Sequence, residues 1–268
     1  MMMRSVAAEF AKLKRSRTIL WTLVAILGYA LLVTAVAPLV SGKDNAAKMA
    51  AAGGIWKKAV EAGIYDDTWA AGLHQLPMSM ASGLALLLFA LVAAYVFGCE
   101  YKEHTMVQAL TTPIRREYMV VSKMVVLGAW LLGLSLFMLL AHAAGLLATG
   151  GASGFGWAPV VKTLGETLLV TFMLYLTMPV IAWLAVWGKG YLRPMLGAVV
   201  LMGLGNSLVA TKVSPYYPWN LPLHAVGASW LPIPPTGLLP GSWVVAVALF
   251  VAGIAGTMWQ LDRTDVVR

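Results

Sequence analysis

The sequence predicts an all-α integral membrane protein with six transmembrane helices and both termini in the cytoplasm. Three observations carry this. Sixty per cent of the 268 residues are apolar and 11% are charged, with a mean hydropathy of +0.80, more apolar surface than a soluble chain of this length can bury. Six apolar runs, 18–40, 78–98, 119–148, 163–187, 192–211 and 242–260, approach or exceed the ~20 residues needed to cross ~30 Å of hydrocarbon. Placing the N-terminus inside puts 13 of the 19 Lys and Arg, including all eight Arg, on the cytoplasmic side. The net charge of +8 therefore follows a membrane pattern and does not imply nucleic acid.

Residues 1–17 precede the first span. Met3, Ala7, Phe10 and Lys14 fall on one side, while Glu9, Lys12 and Arg15 lie elsewhere. Two readings fit: an amphipathic helix in the interface beside anionic headgroups, or a positive-inside anchor. Ala35-Val36-Ala37 resembles a signal-peptidase site, but the apolar run 18–40 exceeds the ~7–15 residues of a cleavable signal, so it is expected to stay as the first span. The first external loop, 41–77, is balanced in charge and too small for an independent domain, with a short helix expected over 46–59.

The second and third spans flank a cytoplasmic segment, 99–118, of mixed charge. Cys99 is the single cysteine, so no internal disulfide forms, and its cytoplasmic place suits a free thiol. Thr105–Thr112 suits a short surface helix, ended because Pro113 disfavours helical geometry at Thr112. Glu100 at the membrane boundary is placed to pair with a basic group of the N-terminal helix, and Arg115 and Arg116 to reach acidic groups or headgroups.

In the third span His142 fits either a hydrogen bond to a neighbouring helix or a proton relay. In the fourth, Glu166 lies one turn after Lys162, and an ion pair competes with a role in a substrate path. The fifth span follows after only four residues. The last external loop, 212–241, holds seven prolines with Tyr216, Tyr217, Trp219 and Trp230, and is expected as short pieces folded back on the outer face. Ala248, Ala252 and Gly256 in the sixth span are small residues four apart, which permits close helix contact, including between two chains.

No phosphate-binding loop is present: Gly156 and Lys162-Thr163 lack the glycine directly before lysine. Nor does the sequence offer paired metal ligands or a nucleophile elbow. Enzymatic function and bound cofactors are thus not expected. The halves show no obvious repeat, so a translocation path is expected between two chains.

The run Glu100-Tyr101, Thr105, Leu110-Thr111, Pro113, Arg116, Lys123, with six spans and a basic leading helix, resembles the ABC-2 family of transporter permeases. The family's glycine ahead of the threonine is His104 here, while Glu9, Lys12 and Arg15 look like the family's start. The resemblance is specific over 4–125 and rests on topology beyond. It implies a single permease domain that pairs with a separate cytoplasmic ABC ATPase, where ATP and Mg bind, and with a second permease chain in the lipids of a bacterial plasma membrane. Glu100, Tyr101, Thr105, Pro113, Arg115, Arg116 and Lys123 would form the ATPase-coupling segment. Pro218, Trp219 and Pro222 in the outer loop resemble the subgroup conferring self-protection against bacitracin and lantibiotics. The expected function is export of an amphiphilic or lipid-associated compound such as a peptide antibiotic. The alternatives are an ion or small-molecule exporter of the same architecture, and a membrane sensor or scaffold that transports nothing.

Overall fold

A 32-residue apolar helix, α8 (Trp157–Gly188), is the axis of the fold, because it carries apolar or small side chains around most of its circumference. In the computed structural model, which describes residues 2–40, 43–61, 68–103, 105, 116–149, 155–228, 231 and 233–263, Val170, Leu174, Met178, Ile181 and Ala185 of this helix are buried. Around it pack α5 (Trp69–Ala81), α6 (Leu84–Lys102), α7 (Arg116–Ala148), α9 (Leu192–Leu208) and α11 (Pro240–Asp262). A leading helix, α1 (Met2–Arg15), and α2 (Thr18–Val40) lie along α7.

The α8–α11 crossing is close. A Cβ on Gly253 would stand 2.7 Å from the Pro179 carbonyl carbon, so only glycine lets these backbones meet. Gly256 faces the Trp183 ring, where a Cβ would approach to 3.1 Å. Gly256 therefore serves packing inside the chain, while Ala248 and Ala252 face outward.

Among the described residues, five helices have the length and apolarity of a membrane span: α2, α6, α7, α8 and α11. Their outward faces are apolar. On α2, Leu20, Val24, Leu27 and Leu31 recur at one-turn spacing and are all exposed, whereas Thr22, Ile26, Tyr29 and Val33 are buried. Water would oppose such a stripe; hydrocarbon accommodates it. Helix α9, the expected fifth span, has 17 residues, or ~25 Å of rise.

Two breaks were not expected. The apolar run from residue 78 is divided, its first four residues ending α5 and the span beginning only at Leu84. Between them Gly83 adopts φ 104°, a conformation glycine permits, and the Ser82 and Gly83 amides bond the Met78 and Met80 carbonyls. Hydropathy does not register such a break, because the run is apolar on both sides of it. Likewise the helix expected over 46–59 is two, α3 (Lys43–Ala52) and α4 (Gly54–Glu61), parted where Gly53 and Gly54 have φ of 69° and 59°. Ala46, Met49, Trp56 and Val60 of this pair cover Met78.

The loop after α9 does form short pieces: two 3₁₀ turns (Ser214–Tyr216 and Pro218–Asn220), α10 (Leu221–Val226) and an isolated bridge, Ala228 to Ile233. These pieces form a packed cap. Trp219, Leu221, Leu223 and Val226 are buried, and α10 packs on α5 and α8.

Candidate functional site: the junction at the stems of the charged segment

The charged segment 99–118 leaves the bundle at the end of α6 and re-enters at the start of α7. Its centre, including His104, Pro113 and Arg115, lies outside the described residues. Its two stems are described, and both are anchored.

The first anchor is a closed ring of four charges. Glu9 and Lys12 sit three residues apart on α1, so one face of that helix presents both. Lys12 Nζ donates to Glu9 Oε1 at 2.8 Å and to Glu100 Oε1 at 2.7 Å. Lys123 Nζ, from α7, lies 3.3 Å from Glu9 Oε2 and 3.2 Å from Glu100 Oε1. Each ammonium thus touches both carboxylates. The Lys123 and Glu100 side chains are 3% and 5% exposed, so removing either one would leave the other as a buried charge short of a partner. Lys123 also donates to the Val96 carbonyl at 2.9 Å, filling a position left open by the carboxylates. For Lys12, partial burial alone would lower the pKa; the hydrogen bond and charge of Glu100, aided by Glu9, more than offset it, and the net shift is upward. The ring ties α1, α6 and α7 at one point. Ser5 adds a second α1–α7 contact, its hydroxyl donating to Ser122 Oγ at 3.2 Å.

Thr105 closes the first stem. Its amide donates to the Glu100 carbonyl at 3.0 Å, tying the chain back to the last turn of α6. Tyr101 is half-buried against the main core. Lys102 lies over the Tyr191 ring at 5.1 Å, joining this stem to the α8–α9 connection. Gly98 makes that approach possible, since a Cβ there would be 3.0 Å from the same ring.

The second stem is held by Arg116. Its guanidinium donates to the Leu261 carbonyl at 2.7 Å and to Asp262 Oδ1 at 3.0 Å, capping the end of α11. Arg116 therefore meets an acidic group of its own chain. Arg15 is the last residue of α1, and its side chain lies outside the described residues.

The two polar residues noted within the spans lie apart from this junction. His142 is fully buried. Its Nε2 donates to the Gly72 carbonyl at 2.9 Å, and Nδ1 lies 2.8 Å from the Thr34 hydroxyl. It ties α2, α5 and α7, as a helix-to-helix hydrogen bond requires. Glu166 Oε2 is 2.6 Å from His74 Nδ1, while Lys162 stands 3.9 Å from the other oxygen. The local pair read from the sequence is thus present but longer than a contact from 92 residues away. A cavity of about 290 Å³ opens beside these three side chains.

In the cap, Pro218, Trp219 and Pro222 are all buried. Around them runs a network that the sequence did not reveal. Ser214 Oγ is 2.9 Å from His224 Nε2, Thr236 Oγ1 is 2.6 Å from His224 Nδ1, and Asn220 Nδ2 donates to both Ser214 Oγ and the Gly205 carbonyl.

Long apolar helices with apolar outward faces, drawn together at one end by a sequestered charge ring, define a multi-pass membrane protein. Residues 5–205 match the family described as ABC-2 family transporter protein, and the chain belongs to that family, the membrane subunits of ABC transporters. It is also similar to the bacitracin transport permease protein BCRB of Bacillus licheniformis, with 23% identity over 180 residues, covering 67% of this chain and 84% of that protein. No solved structure matches it significantly.

Proposed function

We propose that the chain is the six-span membrane subunit of an ATP-driven exporter. In this reading residues 104–115 dock on a separate cytoplasmic ATPase, which binds ATP and Mg, and two permease chains enclose the path. The observation that carries the reading is the anchoring of both stems. A lever must be stiff where it joins what it moves, and here one stem is locked to α1 and α7, the other to α11. Displacement of the segment by a closing ATPase would pass to four helices at once. The substrate is an amphiphile moved outward, and a peptide antibiotic of the bacitracin kind is the first to test, given the similarity to BCRB. Arg115 is assigned to the ATPase, because Arg116 is occupied by α11. The test is co-purification with the cognate ATPase. Arg115→Glu is expected to lower ATPase recovery and drug-stimulated ATP turnover while leaving the permease in the membrane. Unchanged recovery and turnover would refute the coupling assignment.

A second reading, export of an ion or small molecule, draws on the His74–Glu166 pair beside its cavity. It predicts that Glu166→Gln abolishes transport while Glu166→Asp retains it. Equal transport by both variants would remove it.

A further inference from the structure

The junction uses Glu9, Lys12, Glu100 and Lys123, and Lys14 beside it takes no part in the ring. Lys14 is exposed and, among the described residues, has no ion-pair partner. It stands at a groove of about 550 Å³ between α1, α2 and α7, whose walls include Phe10, Leu13, Leu23, Trp130 and Gly133. Among the described residues, no acidic side chain lines it. The volume is within the ~300–1,000 Å³ typical of small-molecule sites.

The depth of the groove identifies its occupant. Its cationic member lies just before the start of the first span at Thr18. Trp130 and Gly133 lie seven and ten residues beyond Lys123 on α7, about 10–15 Å further along that helix. A charged head at the interface with an apolar slot running that far inward has the profile of an anionic lipid, headgroup above and chain below. At Gly133, among the described residues, nothing beyond its own stretch of helix lies within 4 Å of where a Cβ would be, so the slot is open where a chain would pass. A protein partner would find there one ammonium and a recess; a lipid finds both of its own parts matched.

We propose that this groove binds one acyl chain of an anionic phospholipid of the inner leaflet, with its phosphate at Lys14. The inference rests on the reading of α1 as an interfacial helix, and is independent of what is transported or of ATPase docking.

The experiment uses the full-length permease in nanodiscs containing phosphatidylglycerol or phosphatidylcholine with a photoactivatable acyl chain, followed by peptide mapping. Phosphatidylglycerol should label both the 10–23 and the 129–134 peptides. Lys14→Gln should cut its advantage over phosphatidylcholine about five-fold, the value of one interfacial cation. Gly133→Leu should reduce labelling of 129–134 to background, with an unchanged melting temperature as its folding control. Equal labelling by the two lipids would overturn the anionic choice. Label on α1 but not on 129–134, as when a second permease chain fills the groove, would overturn the site. An unlabelled α1 would overturn its interfacial placement as well, which separates that failure from failure of the groove.

Discussion

Lys123 is the residue on which the charged end of the bundle depends. Its side chain is 3% exposed, and among the described residues the two carboxylates, the Val96 carbonyl and the Phe97 ring face stand between it and an uncompensated charge. Removing one member of a buried ionic group costs about 3–5 kcal/mol, whereas replacing the charged set by apolar groups is often neutral. Glu100→Gln should therefore lower the melting temperature of the detergent-solubilised permease clearly. Glu100→Leu combined with Lys123→Met should recover much of that loss. A double variant as unstable as the sum of its singles would show that the ring contributes by packing alone. Half of this arrangement was legible in the sequence. Glu100 sits at a span boundary within reach of a basic leading helix, so a pairing with some basic group of that helix could be read from position, and the structure makes that group Lys12. The closure of the ring through Lys123 and Glu9 could not, because it depends on how α1 lies across the start of α7. The Arg116–Asp262 contact was hidden for the same reason: 146 residues separate the partners.

At the scale of elements, apolar periodicity located the long helices well and their interruptions poorly. Gly83 divides a run whose hydropathy is continuous, and a single glycine in an Ala/Gly-rich membrane chain gives no local warning of a break. The cap shows the opposite case. Its prolines correctly announced short pieces, but the burial of Trp219 and the role of His224 emerge only from contact with α5, α8 and α9. His224 gives this element a pH dependence. Burial holds its pKa below the ordinary 6.5. The unfolded cap therefore takes up its proton first as the pH falls. Stability contributed by neutral His224 is complete above 6.5, and is lost as the pH drops from there toward the depressed value. Limited proteolysis at 212–241 should accelerate between pH 7.5 and 5.5, and His224→Gln should flatten that step. A pH-independent cleavage rate in the unsubstituted protein would contradict the assignment.

At the scale of the whole molecule, the question is parity. An even number of crossings puts both termini on one side of the bilayer; an odd number separates them. Among the described residues five helices satisfy length and apolarity outright, and α9, at 17 residues, decides between the two. Charge argues for its crossing. With α9 inserted, Lys189 and Arg193 at its start join Arg4, Lys12, Lys14 and Arg263 inside, and the cap with its buried tryptophan lies outside. Its rise of ~25 Å is a few ångströms less than the hydrocarbon core, a mismatch that local bilayer thinning accommodates at modest cost. The chain itself provides the means of testing this, because Cys99 is its single thiol. In a Cys99→Ser background, cysteines introduced singly at Met3 and Arg263 should both resist a membrane-impermeant maleimide in intact cells and react after permeabilisation. Cysteines at Lys48 and Lys212 should react from outside. If Met3 and Arg263 differ in sidedness, α9 does not cross. The cap would then face the cytoplasm, where it could not meet a substrate on the way out.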